Sequence, residues 1–165
     1  MQPKSPKESP LAEPLMTRGR PPRSTAAALL EEQGLPVADI TDEHLENFFF
    51  LGSDGSPTGL VGLELYATDA LLRSLVVGEN ARGNGLGSSL VEHAEQYAVT
   101  KGVRSIYLLT TTAEAFFKRL GYERMDRFRA PSSIKRTREF AALCPASSAF
   151  MVKAILIPFN PTGDL

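Results

Sequence analysis

The residues best suited to chemistry in this chain fall within one stretch, Leu71–Leu72–Arg73–Ser74–Leu75–Val76–Val77 followed by Gly78 to Gly87. An apolar strand pattern passes through a short loop into three alternating glycines, Gly83, Gly85 and Gly87, and directly into a helical pattern. The first amides of a helix have no internal partner, and the dipole makes that end positive. An anion, above all a pyrophosphate, is the natural ligand there, and glycine lets it approach the backbone. A P-loop would need Lys and then Ser or Thr after its second glycine, and neither is present. A dinucleotide turn would need G-x-G-x-x-G and an acidic end on the next strand, which also fail. Two charged residues stand out on apolar strands. Glu64 within Gly62–Leu63–Glu64–Leu65 is a candidate general base, or it points to water or pairs with Arg73. Arg73, with Ser74 beside it, is a candidate substrate contact: its guanidinium can clasp a carboxylate, or it can pair with Glu64.

These groups need a folded scaffold, and the composition provides one. The chain has 165 residues, 42% hydrophobic and 22% charged, which suits a single globular domain. Its formal net charge of −1 supplies no global field for nucleic acid or an anionic membrane. No apolar run is long enough to span a bilayer. Residues 1–14, rich in Pro, Ser and Lys, read as a flexible tail without a signal-peptide core. Residues 15–165 read as one domain. Cys144 is the sole cysteine, which excludes an intramolecular disulfide and points to a reducing, cytoplasmic setting. With only His44 and His93 beside it, no closed Cys/His zinc site can be assembled, and no metal is expected.

Periodicity then places the elements. A short strand is predicted over Leu15–Gly19, and a helix capped by Ser24 that runs to Gln33 and stops at Gly34. Thr41 starts a second helix. Phe48–Phe50 and Leu60–Tyr66 read as a hairpin, turned at Asp54–Gly55 and Pro57, and Leu71–Val77 as a strand covered on both faces. Leu86–Lys101 carries an amphipathic helix pattern closed by Gly102. Val103–Thr110 follows as a strand. Thr111 and Glu114 have capping-box spacing for a short helix ending at Gly121. Strands over Tyr122–Phe128 and Ala149–Ile157 flank a helix near Thr137–Leu143. The order implies an α/β (α+β) fold, a mixed central sheet with helices on both faces.

Arg82–Gly83–Asn84–Gly85–Leu86–Gly87 matches the R/Q-x-x-G-x-G/A pattern of GNAT acetyltransferases. With the preceding strand, the long helix and Phe116–Phe117-x-x-x-Gly121–Tyr122, the chain resembles that superfamily over roughly residues 15–157. The resemblance implies acetyl-CoA as cosubstrate. Its pyrophosphate would lie on the amides of Arg82, Gly83, Asn84, Gly85, Leu86 and Gly87, and its pantetheine arm along the edge of Leu75, Val76 and Val77. It implies transfer to the primary amine of a small molecule, with a strand amide near Val76 or Val77 polarising the thioester carbonyl. Phe117 occupies a cofactor-side position where the family often has a tyrosine acid, leaving water, Tyr107 or Tyr122 to protonate the thiolate.

A narrower resemblance, carried by Leu71–Leu75, Leu108–Ala113 and Glu139–Phe140-x-x-Leu143–Cys144–Pro145, is to acetyltransferases of bacterial arsenic-resistance operons. It implies an amino-acid-like amine, including an organoarsenical one. Glu79 is a second candidate base, and the Arg124, Arg127, Arg129, Lys135, Arg136 and Arg138 group reads as a solvated surface or a phosphate contact. Cys144 reads as a small buried hydrophobe. A small-molecule amine is the expected partner, with neither nucleic acid nor membrane, and a homodimer is left open. Two other functions fit the same pattern: a non-catalytic acyl-CoA-binding module, since Phe117 cannot donate a proton, and a protein N-terminal acetyltransferase.

Overall fold

The computed structural model describes residues 17–155. The expected tail and residues 15, 16, 156 and 157 of the two terminal strands lie outside the described residues. Among the described residues there are seven strands: β1 (Arg18–Gly19), β2 (Phe48–Ser53), β3 (Ser56–Tyr66), β4 (Asp69–Val77), β5 (Ser105–Thr110), β6 (Glu123–Arg124) and β7 (Ala149–Ala154). Their order in the single sheet is β1-β2-β3-β4-β5-β7-β6, and every pairing is antiparallel except β4 with β5. The mixed sheet expected from the sequence is therefore present.

Helices α1 (Arg23–Glu32) and α2 (Asp42–Leu45) pack on one face. Their Ala26, Leu29, Leu30 and Leu45 bury against Phe48, Phe50, Leu60 and Val76. On the same face α5 (Ser132–Lys135) seats Ile134 with Leu71, Tyr107 and Phe150. The opposite face is covered by α3 (Leu86–Thr100) and α4 (Glu114–Arg119), whose Leu90, Val91, Ala94, Ala98 and Phe117 meet Phe49, Leu51, Leu63, Leu72 and Leu108. Alternation along each strand feeds both layers, as period-two geometry requires. Among the described residues no helix is long and apolar enough to cross a membrane.

Several boundaries differ from the sequence expectation. Helix α1 begins at Arg23, with Pro22 rather than Ser24 at the cap, and Pro22 makes no side-chain cap bond. Its φ of −59° already suits a helix start, and its carbonyl accepts from the Ala26 amide. The Thr111–Glu114 capping box does not form. Thr110 Oγ1 accepts from the Ala113 amide instead, and α4 starts at Glu114 without a side-chain cap. The strand expected over Tyr122–Phe128 is only two residues long and gives way to a 3-10 turn at Arg127–Arg129. The helix near Thr137 is a π-helical turn, Glu139–Leu143. The Thr41 cap is confirmed: its hydroxyl accepts from the His44 amide while His44 Nδ1 accepts from Thr41.

Candidate functional site

Two irregularities in β4 create the site. The first is a bulge. Leu60 pairs with Val76 and Gly62 with Arg73, so one residue of β3 faces two of β4, Ser74 and Leu75. Ser74 adopts a left-handed φ of 59°, unusual for a residue with a side chain. The extra residue reverses the alternation. Leu71 and Val76 consequently share one face, while Leu72, Leu75 and Val77 pack toward α3 on the other.

The second irregularity is a parting of the sheet. β4 pairs with β5 only at Asp69, Ala70 and Leu71, opposite Ser105, Ile106 and Tyr107. Beyond Leu71 the strands separate and leave a cleft of about 410 Å³ between Leu72–Leu75 and Leu108–Ala113. Phe117 closes one side, and the loop Gly34–Pro36 and the segment Leu143–Pro145 with Ser148 close the other. Apart from Arg73, every lining residue is uncharged.

Beside the cleft stands the glycine turn. Gly83 and Gly85 have φ of 86° and 73°, and a Cβ built on either meets nothing within 4 Å, so the backbone here is open to a ligand. Gly85 caps α3 without any side-chain hydrogen bond. The first amides of α3 are thus uncapped by protein side chains, which is what an anion such as a pyrophosphate requires. Gly87 serves another purpose: a Cβ there would lie 3.3 Å from the Phe116 ring, so its absence lets α3 and α4 pack. Arg82 braces the turn, donating from Nε to the Val77 carbonyl at 3.1 Å and from Nη2 to Gln33 Oε1. Asn84 donates to the Ala81 carbonyl at 3.3 Å.

Arg73 is not free to clasp a substrate carboxylate. Its side chain has no exposed surface and is held by three carboxyls from distant parts of the chain. Both Nη atoms donate to Asp39, the Nη2 bond to Oδ1 being 2.7 Å. Nη1 reaches Glu64 Oε2 at 2.8 Å, and Nη2 lies 3.2 Å from Glu139 Oε1. Nε donates to Ser74 Oγ at 3.1 Å, which ties the bulge to the cluster. Glu64 is buried, accepts from the Tyr66 hydroxyl and does not line the cleft. The ion-pair alternative is thus the arrangement found, extended by Asp39 and Glu139. His44 Nε2 stands 3.9 Å from Glu64 Oε1 at the solvent side.

Three carboxyls sharing one guanidinium cannot all be ionised cheaply where water is excluded. Burial would raise Asp39, but its bonds to Arg73 outweigh that and hold it below its ordinary value. Glu139, with a single longer contact, is pushed up to about 7, first by burial and then by the charges of Asp39 and Glu64. Cys144 lines the cleft and is raised to about 11, by burial and then by the Glu139 charge.

The candidate acids do not enter it. Tyr122 donates to Glu95 Oε2 at 2.9 Å under α3, and burial raises its pKa. Tyr107 stacks on Phe150 on the opposite face. Glu79 is exposed in a 3-10 turn. Of the basic group, Arg124, Arg129, Lys135, Arg136 and Arg138 are exposed, whereas Arg127 lies over the Phe140 ring and donates to the Phe140 carbonyl at 3.3 Å. Asp39 and Ser148 escaped the sequence reading, since nothing local marks them, and Glu139 entered it only within the narrower resemblance, with no role assigned.

A mixed sheet parted at its one parallel pairing, with an uncapped helix end beside the opening, defines a scaffold for a phosphate-bearing ligand with an extended arm. The chain belongs to the acetyltransferase (GNAT) family, whose model matches residues 15–122. It is 36% identical over 95 residues to an uncharacterized N-acetyltransferase of Chlorobaculum tepidum, covering 57% of this chain and 61% of that protein. It is 30% identical over 112 residues to an amino-acid acetyltransferase of Pseudomonas fluorescens, covering 65% of this chain and 24% of that one. The chain thus spans less than two thirds of either relative. N-acetylglutamate synthase from Neisseria gonorrhoeae, complexed with coenzyme A and N-acetyl-glutamate, superposes with a TM-score of 0.73 at 22% identity, over 86% of this chain and 35% of that one. A Mycobacterium tuberculosis protein in complex with CoA gives 0.67 at 18% identity, over 86% and 99%. At these identities the likeness is one of fold.

Proposed function

We propose that this protein is an acyl-CoA N-acyltransferase that moves acetyl from acetyl-CoA to the primary amine of a small, amino-acid-like molecule. The observation that carries the reading is the open seam between β4 and β5 beside an uncapped glycine turn. Arg82 to Gly87 would hold the pyrophosphate through backbone amides, with the edge of Leu75–Val77 for the extended arm and Phe117 against the acyl end. A β4 amide near Val76 or Val77 would polarise the carbonyl, and bringing amine and thioester together would lower the barrier further. The amino-acid preference is supported by the names of the Pseudomonas and Neisseria relatives. Arg73 and Glu64 act here as positioning groups that fix β4. Among the described residues no tyrosine lines the cleft, and burial pushes the Cys144 thiol up to about 11, so we assign protonation of the departing thiolate to solvent.

Release of free CoA thiol from acetyl-CoA, followed across a panel of amino acids, other primary amines and peptides, tests this. The panel includes an amino-acid-like organoarsenical, as the narrower resemblance asks. Turnover with a small amine is expected. Tight acetyl-CoA binding without turnover would make this a non-catalytic binding module, and a preference for peptide N-termini would make it a protein acetyltransferase.

A further inference from the structure

The two segments that close the cleft opposite Phe117 are tied, through buried carboxyls, to one guanidinium on β4. Leu143–Pro145 belongs to a stretch, Ala141 to Ser147, whose residues are all exposed or half-buried, so packing alone does little to set its position. Phe140 packs edge-on against Phe150 and holds the start of this stretch to β7. The tie to β4 is Glu139. Its buried side chain places Oε1 3.2 Å from Arg73 Nη2, while its carbonyl accepts from the Cys144 amide at 2.9 Å and closes the π-helical turn. One residue therefore bridges two walls, β4 through its carboxyl and Cys144 through its main chain. Turns of this wide kind are rare and recur at functional sites.

The loop Gly34–Pro36 is tied in the same way. Three residues further on, buried Asp39 takes bonds from both Nη atoms of Arg73. Arg73 thus holds both closing segments, and its Nε bond to Ser74 fixes the bulge as well. Stability does not account for the third carboxyl. Asp39 and Glu64 already pair the guanidinium, and buried ion pairs add little net stability. Burial also disfavours the charged form of Glu139. What Glu139 supplies is a distance. With Phe117 against the acyl end, an acceptor enters from the side these two segments close, and their separation from β4 limits its size.

We propose that Asp39 and Glu139 are positioning residues that set the width of the acceptor end of the cleft: held on one guanidinium, they keep Gly34–Pro36 and Leu143–Pro145 at fixed distances from β4 and so select small amines over larger ones. The proposal rests on the acyltransferase reading above and adds the residues that determine acceptor size.

Glu139→Ala cuts one tie and leaves Arg73 paired with Asp39 and Glu64, so the chain still folds. The acceptors are the best amine of the panel and its homologues, lengthened one methylene at a time. A rigid pocket discriminates by about 10- to 200-fold for one methylene, and in Glu139→Ala the drop in kcat/KM at the first homologue too long for wild type shrinks to about threefold. KM for the best amine rises about 10-fold, because a looser wall positions it less well, while KM for acetyl-CoA is unchanged. Glu139→Gln keeps an oxygen for Arg73 Nη2 and restores most of the discrimination. In the ligand-free protein the Cys144 amide exchanges about 10-fold faster in Glu139→Ala, as local opening becomes easier, and the amides of α3 do not change. Unaltered discrimination, an equal rise in KM for both substrates, or unchanged Cys144 exchange would each overturn the proposal. If Glu139→Ala does not fold, Glu139→Asp, one methylene short of Arg73, is judged by the same three outcomes. Wild-type protein that acetylates no amine would instead defeat the acyltransferase reading, and the exchange measurement, which needs no turnover, still tests the tie.

Discussion

Replacing Glu139 by Gln keeps the shape and hydrogen-bonding capacity of the protonated carboxyl and removes its ability to ionise. In the native protein burial, reinforced by Asp39 and Glu64, pushes this group from an ordinary 4.5 up to about 7 despite Arg73. The unfolded chain releases the proton near 4.5, and the folded one keeps it until about 7. Between these values unfolding releases a proton, so native stability must fall as pH rises. The contribution is fully present below 4.5 and gone above about 7. At about 1.4 kcal/mol per pH unit this amounts to about 3 kcal/mol, or roughly 6–12 °C in melting temperature for a chain of this size. Urea unfolding of wild type and Glu139→Gln from pH 4.5 to 8.5 measures it. The two should coincide at the acid end and diverge upward, with the variant the more stable at pH 8. A constant offset, or a variant less stable at pH 8, would refute the reasoning. Glu139 would then be an ionised partner of Arg73 at neutral pH.

Two further outcomes follow from the same geometry. Gly85→Val forces a β-branched residue to a φ of 73°, so the turn must reform. Acetyl-CoA, expected to stabilise wild type by about 2.7 kcal/mol at a hundred times its Kd, should then give no thermal shift, and equal shifts would remove the turn from the ligand site. Arg73→Met strands three buried carboxyls and should cost about 3–5 kcal/mol at pH 7. Much of the loss should return at pH 5 as Asp39, no longer held ionised by Arg73, takes up a proton beside a protonated Glu139, and unchanged unfolding at pH 7 would show that the cluster contributes little.

The central elements are legible in the sequence for plain reasons. Leu71–Val77 and the helix from Leu86 carry strong apolar periods, and Gly34 and Gly102 end helices at φ of 70° and 83°, as their positions suggest. The glycine turn is legible too, because glycine, strand and helix occur consecutively. The carboxyl cluster is not. Residues 39, 64, 73 and 139 meet only through the tertiary fold, and apolar context drew attention to Glu64 and Arg73 alone. The bulge is hidden for another reason: Ser74 has no local preference for a left-handed backbone, and the pairing of β3 with β4 imposes it. Between Tyr122 and Leu143 short turns interrupted by Pro131 replace regular elements, and no period survives to be read.

The parted sheet also gives β4 an unequal pair of edges. Along Arg73–Val77 the strand has a neighbour, β3, on one side only. Its amides fall into two populations: those locked into the β3 ladder, and those that face the gap with no strand opposite. In deuterium exchange such a strand is a comb, slow and fast positions interleaved within a few residues of one chain. A ligand arm laid along the gap would fill in the fast teeth and leave the slow ones untouched. The opening between β4 and β5 thus carries its own residue-by-residue record of occupancy, legible in an isotope pattern without any reaction taking place.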